Sequence, residues 1–226
     1  MNTERVSESL RASGAQAWEA AKCHPMVLAI GAGTLPHEVF RGYFEQNILY
    51  LRDYARAIGL ILSKAPDGDA LSTMDAFLSQ IVANELPANA AFLERLGGDP
   101  SVLFESGMSA TAYAYTRHLL AVCTQGDCAQ GLTAVLPCQW TYGEIASPLM
   151  QQRPADPIYS DWIQLFGNQD YDALVRRTTE LLDRLADLAD EAQMARLSEI
   201  FERSTQYEVA FWDMAYAGPS AGRPED

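Results

Sequence analysis

The sequence predicts an all-α fold, a bundle of about seven helices. Apolar residues recur at helical spacing, and no alternation of apolar and polar residues is long enough for a sheet. Proline, glycine and capping residues divide the 226 residues into segments of helical length. The connections between these segments are short, which favours a single domain over residues 1–217.

In the first half of the chain, helix boundaries follow from residues that break helices. A first helix is predicted over about residues 4–22, ending at Cys23-His24-Pro25. Gly31-Ala32-Gly33 is predicted to form a turn. Pro36 then opens a long helix that reaches about residue 64, and a third helix covers about residues 71–96.

In the second half, capping residues set the boundaries. Ser109 or Thr111 is predicted to cap a fourth helix that ends before Gly126, and Asp127 to cap a fifth. The remaining predicted helices begin at Asp156-Pro157, at about residue 171 and at about residue 191. The tail, residues 218–226, is rich in Gly, Pro and Ser and is predicted to be mobile.

The composition of the chain indicates which compartment and which partners to expect. The net charge of −14, from 30 acidic and 16 basic residues, repels phosphate backbones, so we expect no nucleic-acid partner. The polar amino terminus lacks the apolar region of a signal peptide, and no apolar stretch approaches bilayer length. We therefore expect a soluble cytoplasmic protein with no membrane partner. Its four cysteines should be reduced thiols: Cys23, Cys123, Cys128 and Cys138.

Three predicted helices carry a reactive or polar residue within an apolar stripe. Asn47 lies among aromatic residues on the second helix, and Glu208 lies in the middle of the last one. Cys138 follows Pro137 on the fifth helix, where the proline predicts a kink. Burial would raise the pKa of the carboxyl towards neutrality, as a proton donor and acceptor requires.

Each of these residues also has an ordinary structural explanation. Asn47 could be a hydrogen-bonded core amide, Cys138 a small buried hydrophobe, and Glu208 a surface residue on a misjudged helix face. Tyr115 on the fourth helix and Tyr142, one turn after Cys138, add phenols on faces that should converge. Together these residues are what a site for a small, flat, polar ring requires.

Several strings of residues occur along the chain in a characteristic order. They are His24-Pro25, Gly33-Thr34-Leu35, Tyr43-Phe44-Glu45-Gln46-Asn47, Thr111-Ala112-Tyr113-Ala114-Tyr115-Thr116, Leu136-Pro137-Cys138-Gln139-Trp140, Tyr207-Glu208, Phe211-Trp212 and Met214-Ala215-Tyr216. In this order they resemble the TenA (thiaminase II) family over about residues 18–216.

The resemblance implies a haem-oxygenase-like helical fold without haem, metal or other cofactor, assembled as a homotetramer. It implies hydrolysis of a small aminopyrimidine: thiamin, or 4-amino-5-aminomethyl-2-methylpyrimidine, which is salvaged to hydroxymethylpyrimidine. By this resemblance Cys138 attacks the ring, Glu208 protonates the leaving group and activates water, and Tyr142 supports the proton transfers. The residues it implies for substrate binding are Asn47, Tyr50, Tyr115, Phe166 and Phe211.

Two of these positions depart from the family pattern. Asn47 stands where the best-known members carry an aspartate that binds the amidine edge of the pyrimidine, and Phe166 replaces a tyrosine. An amide offers a donor and an acceptor to that edge, but no acidic proton at neutral pH. The alternative function is therefore a non-catalytic or altered-specificity pyrimidine-binding member of the family. A metal- or haem-dependent oxidase is disfavoured, because the three histidines form no E-x-x-H pair.

Overall fold

The computed structural model describes residues 5–103 and 107–218, and within these ranges the chain is helical, without strands. The α-helices of the described residues are α1 (Val6–Ser13), α2 (Ala15–Lys22), α3 (Pro25–Ala32), α4 (His37–Leu62), α5 (Gly68–Ser79), α6 (Leu86–Arg95), α7 (Ala110–Gln125), α8 (Cys128–Leu149), α9 (Pro157–Phe166), α10 (Gln169–Leu185) and α11 (Glu191–Ala217). A π-helical segment, Gln80–Glu85, joins α5 to α6, and a 3₁₀ turn, Pro100–Val102, follows α6. The all-α prediction is confirmed. Beyond Gly218 the predicted mobile tail lies outside the described residues.

The amino-terminal region differs from the prediction in two ways. The predicted first helix is divided at Gly14 into α1 and α2. The predicted turn is wrong for Gly31, which lies inside α3, a helix that the sequence did not indicate. A Cβ at Gly31 would lie 2.6 Å from the side chain of Leu149, so this glycine permits close packing of α3 rather than a turn. The helix ends at Gly33, which adopts the left-handed conformation with φ 67°.

Capping predictions agree with the structure. The Ser109 and Asp127 side chains accept hydrogen bonds from the backbone at the starts of α7 and α8. His24 caps the start of α3, where its Nδ1 accepts a hydrogen bond from the Met26 backbone N–H at 3.1 Å. The helix predicted from about residue 171 runs from Gln169 to Leu185. Asp190 forms a capping box with Gln193 at the start of α11, where the last helix was predicted to begin.

The centre of the bundle is formed by α4, α8 and α11, which pack against one another. Around them lie α7, which contacts all three, and α5, α6, α9 and α10. Pro137 lies inside α8 without ending it, and the predicted kink there stays a prediction. Among the described residues no helix is long and apolar enough to cross a membrane. All four cysteines are free thiols.

The crossing of α4 and α8 positions the candidate site, and Gly131 allows the two helices to approach. A Cβ at Gly131 would lie 2.7 Å from the fully buried side chain of Ile61. We expect Gly131→Ala to lower the free energy of unfolding by about 1–3 kcal/mol through overpacking. The matched control is Gly59→Ala on α4, where a Cβ would meet nothing within 4 Å. The control should stabilise the protein by up to about 1 kcal/mol. Urea unfolding measures both, and a Gly131→Ala protein as stable as wild type would contradict the prediction.

Candidate active site

Cys138 of α8 and Glu208 of α11 interact directly, because their helices pack side by side. The Glu208 carboxyl, which is 3% exposed, is hydrogen-bonded to the Cys138 thiol and accepts a 2.5 Å hydrogen bond from the Tyr115 hydroxyl. Burial raises the pKa of Glu208 to about 7, and the two hydrogen bonds oppose a further rise. The carboxyl can therefore take and return a proton near neutral pH.

The Cys138 thiol is protonated in the resting site. Burial and the charge of Glu208 raise the pKa of the thiol well above its ordinary value, whereas the hydroxyls of Tyr50 and Tyr54 lower it. The Tyr54 hydroxyl donates to the Val135 carbonyl at 2.7 Å. The buried Tyr50 hydroxyl lies beside the sulfur and can donate to a thiolate. The sulfur must therefore lose its proton as it attacks, and Glu208 is the base in contact with it.

A small cavity lies against Cys138. The space open to water there is about 10 Å³, room for about one water molecule. Its walls come from α4, α5, the π-helical segment, α8 and α10, through Asn47, Leu51, Tyr54, Phe77, Ile81, Glu85, Cys138, Gln139, Tyr142 and Tyr171. Glu208 is not part of this wall, so the sulfur connects the cavity to the carboxyl.

A pair of amides holds one side of the cavity. The Asn47 Nδ2 donates to the Asn89 Oδ1 at 2.9 Å, and the Asn89 Nδ2 donates to the Glu85 carbonyl at 2.8 Å. One amide hydrogen of Asn47 is thereby committed to a partner on α6, which fixes the orientation of the amide. Its carbonyl oxygen can accept a hydrogen bond from the amino group of a bound ligand.

Three phenols and a phenyl ring form another part of the cavity wall and its support. The Tyr142 and Tyr43 hydroxyls are 3.0 Å apart. The Phe166 ring packs edge-on against Tyr142, with centroids 5.0 Å apart, and brings no hydroxyl. The Tyr171 hydroxyl donates to the Gln139 carbonyl at 3.1 Å. The tyrosines that line the cavity are Tyr54, Tyr142 and Tyr171.

The predicted site residues divide into two groups in space. Asn47, Cys138 and Tyr142 line the cavity. The other five lie behind its wall or around the sulfur: Tyr50, Tyr115, Phe166, Glu208 and Phe211. Tyr50 packs against Tyr115 and Phe211, with centroids 5.1 and 5.5 Å apart, so these rings form an aromatic layer next to the sulfur.

Sequence reasoning missed Glu85, Gln139 and Tyr171, which line the cavity, and Asn89, which binds the Asn47 amide. A signal for two of them was present in the sequence. Phe77, Ile81, Glu85 and Asn89 follow one another at four-residue spacing on the predicted third helix. This is the same combination of polar residues and an apolar stripe that identified Asn47 and Glu208.

Solved structures share this fold. A TenA family transcription regulator from a Silicibacter species superposes with a TM-score of 0.87 at 30% identity, covering 94% of this chain and 96% of that one. A TenA homologue from P. horikoshii gives 0.86 at 29% identity, covering 95% and 100%. A domain with a heme oxygenase-like fold from Shewanella denitrificans gives 0.73 at 14% identity, covering 93% and 91%, which concerns the fold alone. The fold is therefore haem-oxygenase-like, as the resemblance implied.

Residues 11–218 match the TENA/THI-4/PQQC family, and the chain belongs to that family. Over 201 residues it is 35% identical to an aminopyrimidine aminohydrolase of Halalkalibacterium halodurans, covering 88% of this chain and 90% of the relative. Over 212 residues it is 32% identical to an aminopyrimidine aminohydrolase of Bacillus subtilis, covering 94% and 90%. The family resemblance seen in the sequence is confirmed.

Proposed function

We propose that the protein is an aminopyrimidine hydrolase of the thiaminase II type. Its substrate in this proposal is 4-amino-5-aminomethyl-2-methylpyrimidine, from which it releases ammonia in thiamin salvage; thiamin is the second candidate substrate. The observation that carries the proposal is the contact of the Cys138 thiol with the Glu208 carboxyl beside a small cavity. Relatives at 31–35% identity named aminopyrimidine aminohydrolase support it.

The proposed chemistry follows from the protonation states of the resting site. Glu208 takes the thiol proton while the Cys138 sulfur adds to a ring carbon, and the Tyr50 hydroxyl stabilises the developing thiolate. Glu208 then gives this proton to the departing amine. Its carboxylate next takes a proton from the water that adds to the methylene in place of the amine. This proton returns to the sulfur as the C–S bond breaks, so one group acts as acid and as base in turn.

Binding requires the cavity to widen, since a pyrimidine ring is far larger than the single water molecule that the present space admits. In our proposal the ring displaces the side chains of the cavity wall. The Asn47 oxygen then accepts from the exocyclic amine, Tyr142 supports proton transfer, and the other aromatic residues hold the ring in place. These residues are Tyr50, Tyr115, Phe166 and Phe211.

The test is ammonia release from the aminomethylpyrimidine, with hydroxymethylpyrimidine measured as the second product. We expect equal amounts of both products from wild type, and a fall in kcat of about 10²-fold for Glu208→Gln, which keeps the shape of the side chain but cannot transfer a proton. The matched control is Glu202→Gln on the same helix, away from the cavity and the thiol. Wild type that releases no ammonia, or Glu208→Gln that matches wild type, would remove the hydrolase proposal.

A second candidate function is supported by the Asn47 amide, which lines the small cavity. A family member that binds a pyrimidine without turning it over needs hydrogen bonds to the ring but no acid–base step. Calorimetry with hydroxymethylpyrimidine separates the two functions: tight binding by a wild-type protein that releases no ammonia would favour the binding function over the hydrolase.

The proposal also includes the oligomeric state of the protein and its location in the cell. We propose a homotetramer, supported by large apolar side chains exposed on the single chain, among them Leu28, Tyr113 and Leu188, which subunit contacts would cover. The proposed cytoplasmic location rests on the sequence expectation alone. Light scattering coupled to size-exclusion chromatography gives the mass, and a monomeric mass would contradict the tetramer.

A further inference from the structure

Glu85 is a buried carboxyl at the cavity to which the proposed chemistry assigns no role. It closes the π-helical segment between α5 and α6, is 6% exposed, and lines the same cavity as Cys138 and Asn47. Its carboxyl accepts one long hydrogen bond, 3.4 Å from Gln80. A carboxyl is rarely buried with so little support unless it has a task, and π-helical turns occur frequently at functional sites.

The protonation state of Glu85 differs from that of an ordinary carboxyl. Burial raises its pKa to about 8, and the hydrogen bond from Gln80 opposes this only in part. The titratable groups that face it are Tyr43 and Tyr54 of α4, Cys138 of α8 and Tyr171 of α10. Among the described residues no cation of α5, α6 or any other element stabilises its charge. At neutral pH Glu85 is therefore a carboxylic acid with an O–H to donate.

The hydrolase reaction needs such a donor on the cavity side of the sulfur. When a thiolate adds to an aminopyrimidine, ring electrons move onto a ring nitrogen, which then requires a proton. Asn47 has no acidic proton to supply, and Glu208 holds the thiol proton outside the cavity wall. Glu85 is the remaining carboxyl that lines the cavity among the described residues.

We propose that Glu85 is a second catalytic acid, which donates its proton to the pyrimidine nitrogen beside the amino-bearing carbon as Cys138 adds. The inference rests on the proposed function and deepens it. The substrate class that it defines is an aminopyrimidine with a leaving group on the methylene beside that carbon. A neutral carboxylic acid pairs with such an edge at two points, donating to the ring nitrogen and accepting from the exocyclic amine.

The proton and electron movements balance over the two halves of the reaction. The C–S bond forms at the unsubstituted ring carbon, the ring π electrons shift to the nitrogen, and Glu85 becomes a carboxylate. The electrons then return to expel the amine, which takes the proton held by Glu208, and the nitrogen returns its proton to Glu85. When water adds to the methylene, Glu85 again gives its proton to the ring nitrogen. When the sulfur departs, the nitrogen returns this proton to Glu85. Glu85 thus ends as it began.

The test compares wild type, Glu85→Gln and a control, Glu94→Gln, on the exposed face of α6. In wild type kcat should rise through about pH 7 as Glu208 ionises and fall above about pH 8 as Glu85 ionises. Glu85→Gln should lower kcat about 10²-fold, change KM little, and lose the fall above pH 8. The control should leave kcat and the profile unchanged.

Two outcomes of this assay would overturn the role of Glu85. One is a Glu85→Gln enzyme with the wild-type kcat, and the other is a reduced kcat with the alkaline fall unchanged, as a purely structural role predicts. Calorimetry with hydroxymethylpyrimidine is independent of turnover. Binding by wild type should weaken above pH 8, and binding by Glu85→Gln should not. If wild type releases no ammonia, the hydrolase proposal is wrong. The role of Glu85 as a hydrogen-bonding acid is then supported if wild-type binding weakens above pH 8 and contradicted if it does not.

Discussion

Replacing Cys138 with serine is expected to reduce ammonia release by at least about 10³-fold. A serine hydroxyl is a much weaker acid than a thiol and a weaker nucleophile. The base beside it, Glu208, has a pKa raised only to about 7 and is matched to a thiol that Tyr50 and Tyr54 help to ionise. The loss should appear in kcat, because the amide that contacts the ring is unchanged.

The matched control for this substitution is Cys23→Ser, since Cys23 is exposed and lies away from the cavity. It should release ammonia at the wild-type rate. Calorimetry with hydroxymethylpyrimidine should show that Cys138→Ser still binds the ring, which separates a chemical defect from a folding defect. Equal release by wild type and Cys138→Ser would exclude Cys138 as the nucleophile.

The residues found from the sequence share a simple physical signature. Asn47, Cys138 and Glu208 are reactive or polar groups on stripes that helical periodicity assigns to the core, and each is buried or partly buried in the structure. Helix starts were also predictable, because a capping side chain such as Asp127 satisfies backbone groups only a few residues away. A feature could be predicted where the interaction that determines it joins residues close together in the chain.

Features that depend on packing between distant segments were not predictable in the same way. The π-helical turn before α6 places one extra residue in the helix, and no residue of the sequence indicates this turn. Gly31 was taken for part of a turn, because the side chain of Leu149 that requires a glycine there is far away in the sequence. The small size of the cavity likewise depends on how the side chains of α4, α8 and α10 pack together.

Free energy of unfolding is expected to fall as the pH rises from 5 to 9, because two buried carboxyls resist ionisation. In the folded protein the pKa of Glu85 is raised to about 8 and that of Glu208 to about 7, from 4.5 in the unfolded chain. Below pH 4.5 both groups are protonated in both states, and their contribution to stability is fully present. It is lost progressively as the pH rises, and the loss is complete above about pH 8.

The expected loss of unfolding free energy is large for the ionisation of single side chains. At about 1.4 kcal/mol per pKa unit, the two shifts correspond to losses on the order of 3 to 5 kcal/mol each. The acidic surface also disfavours the compact state at high pH, so the wild-type slope alone does not isolate the two carboxyls. Glu85→Gln and Glu208→Gln remove one ionisation each and leave the surface charge of the exposed residues unchanged.

The informative quantity is therefore the difference in unfolding free energy between each variant and wild type, measured in urea at pH 5, 7 and 9. This difference should shift in favour of the variant by several kcal/mol between pH 5 and pH 9, whereas Glu94→Gln should give a constant difference. Parallel curves for wild type and both variants would show that the carboxyls ionise in the folded state as easily as in the unfolded one. The acid–base roles of Glu85 and Glu208 would then lose their basis, since a residue that is costly to ionise is the residue that can hold a proton at neutral pH.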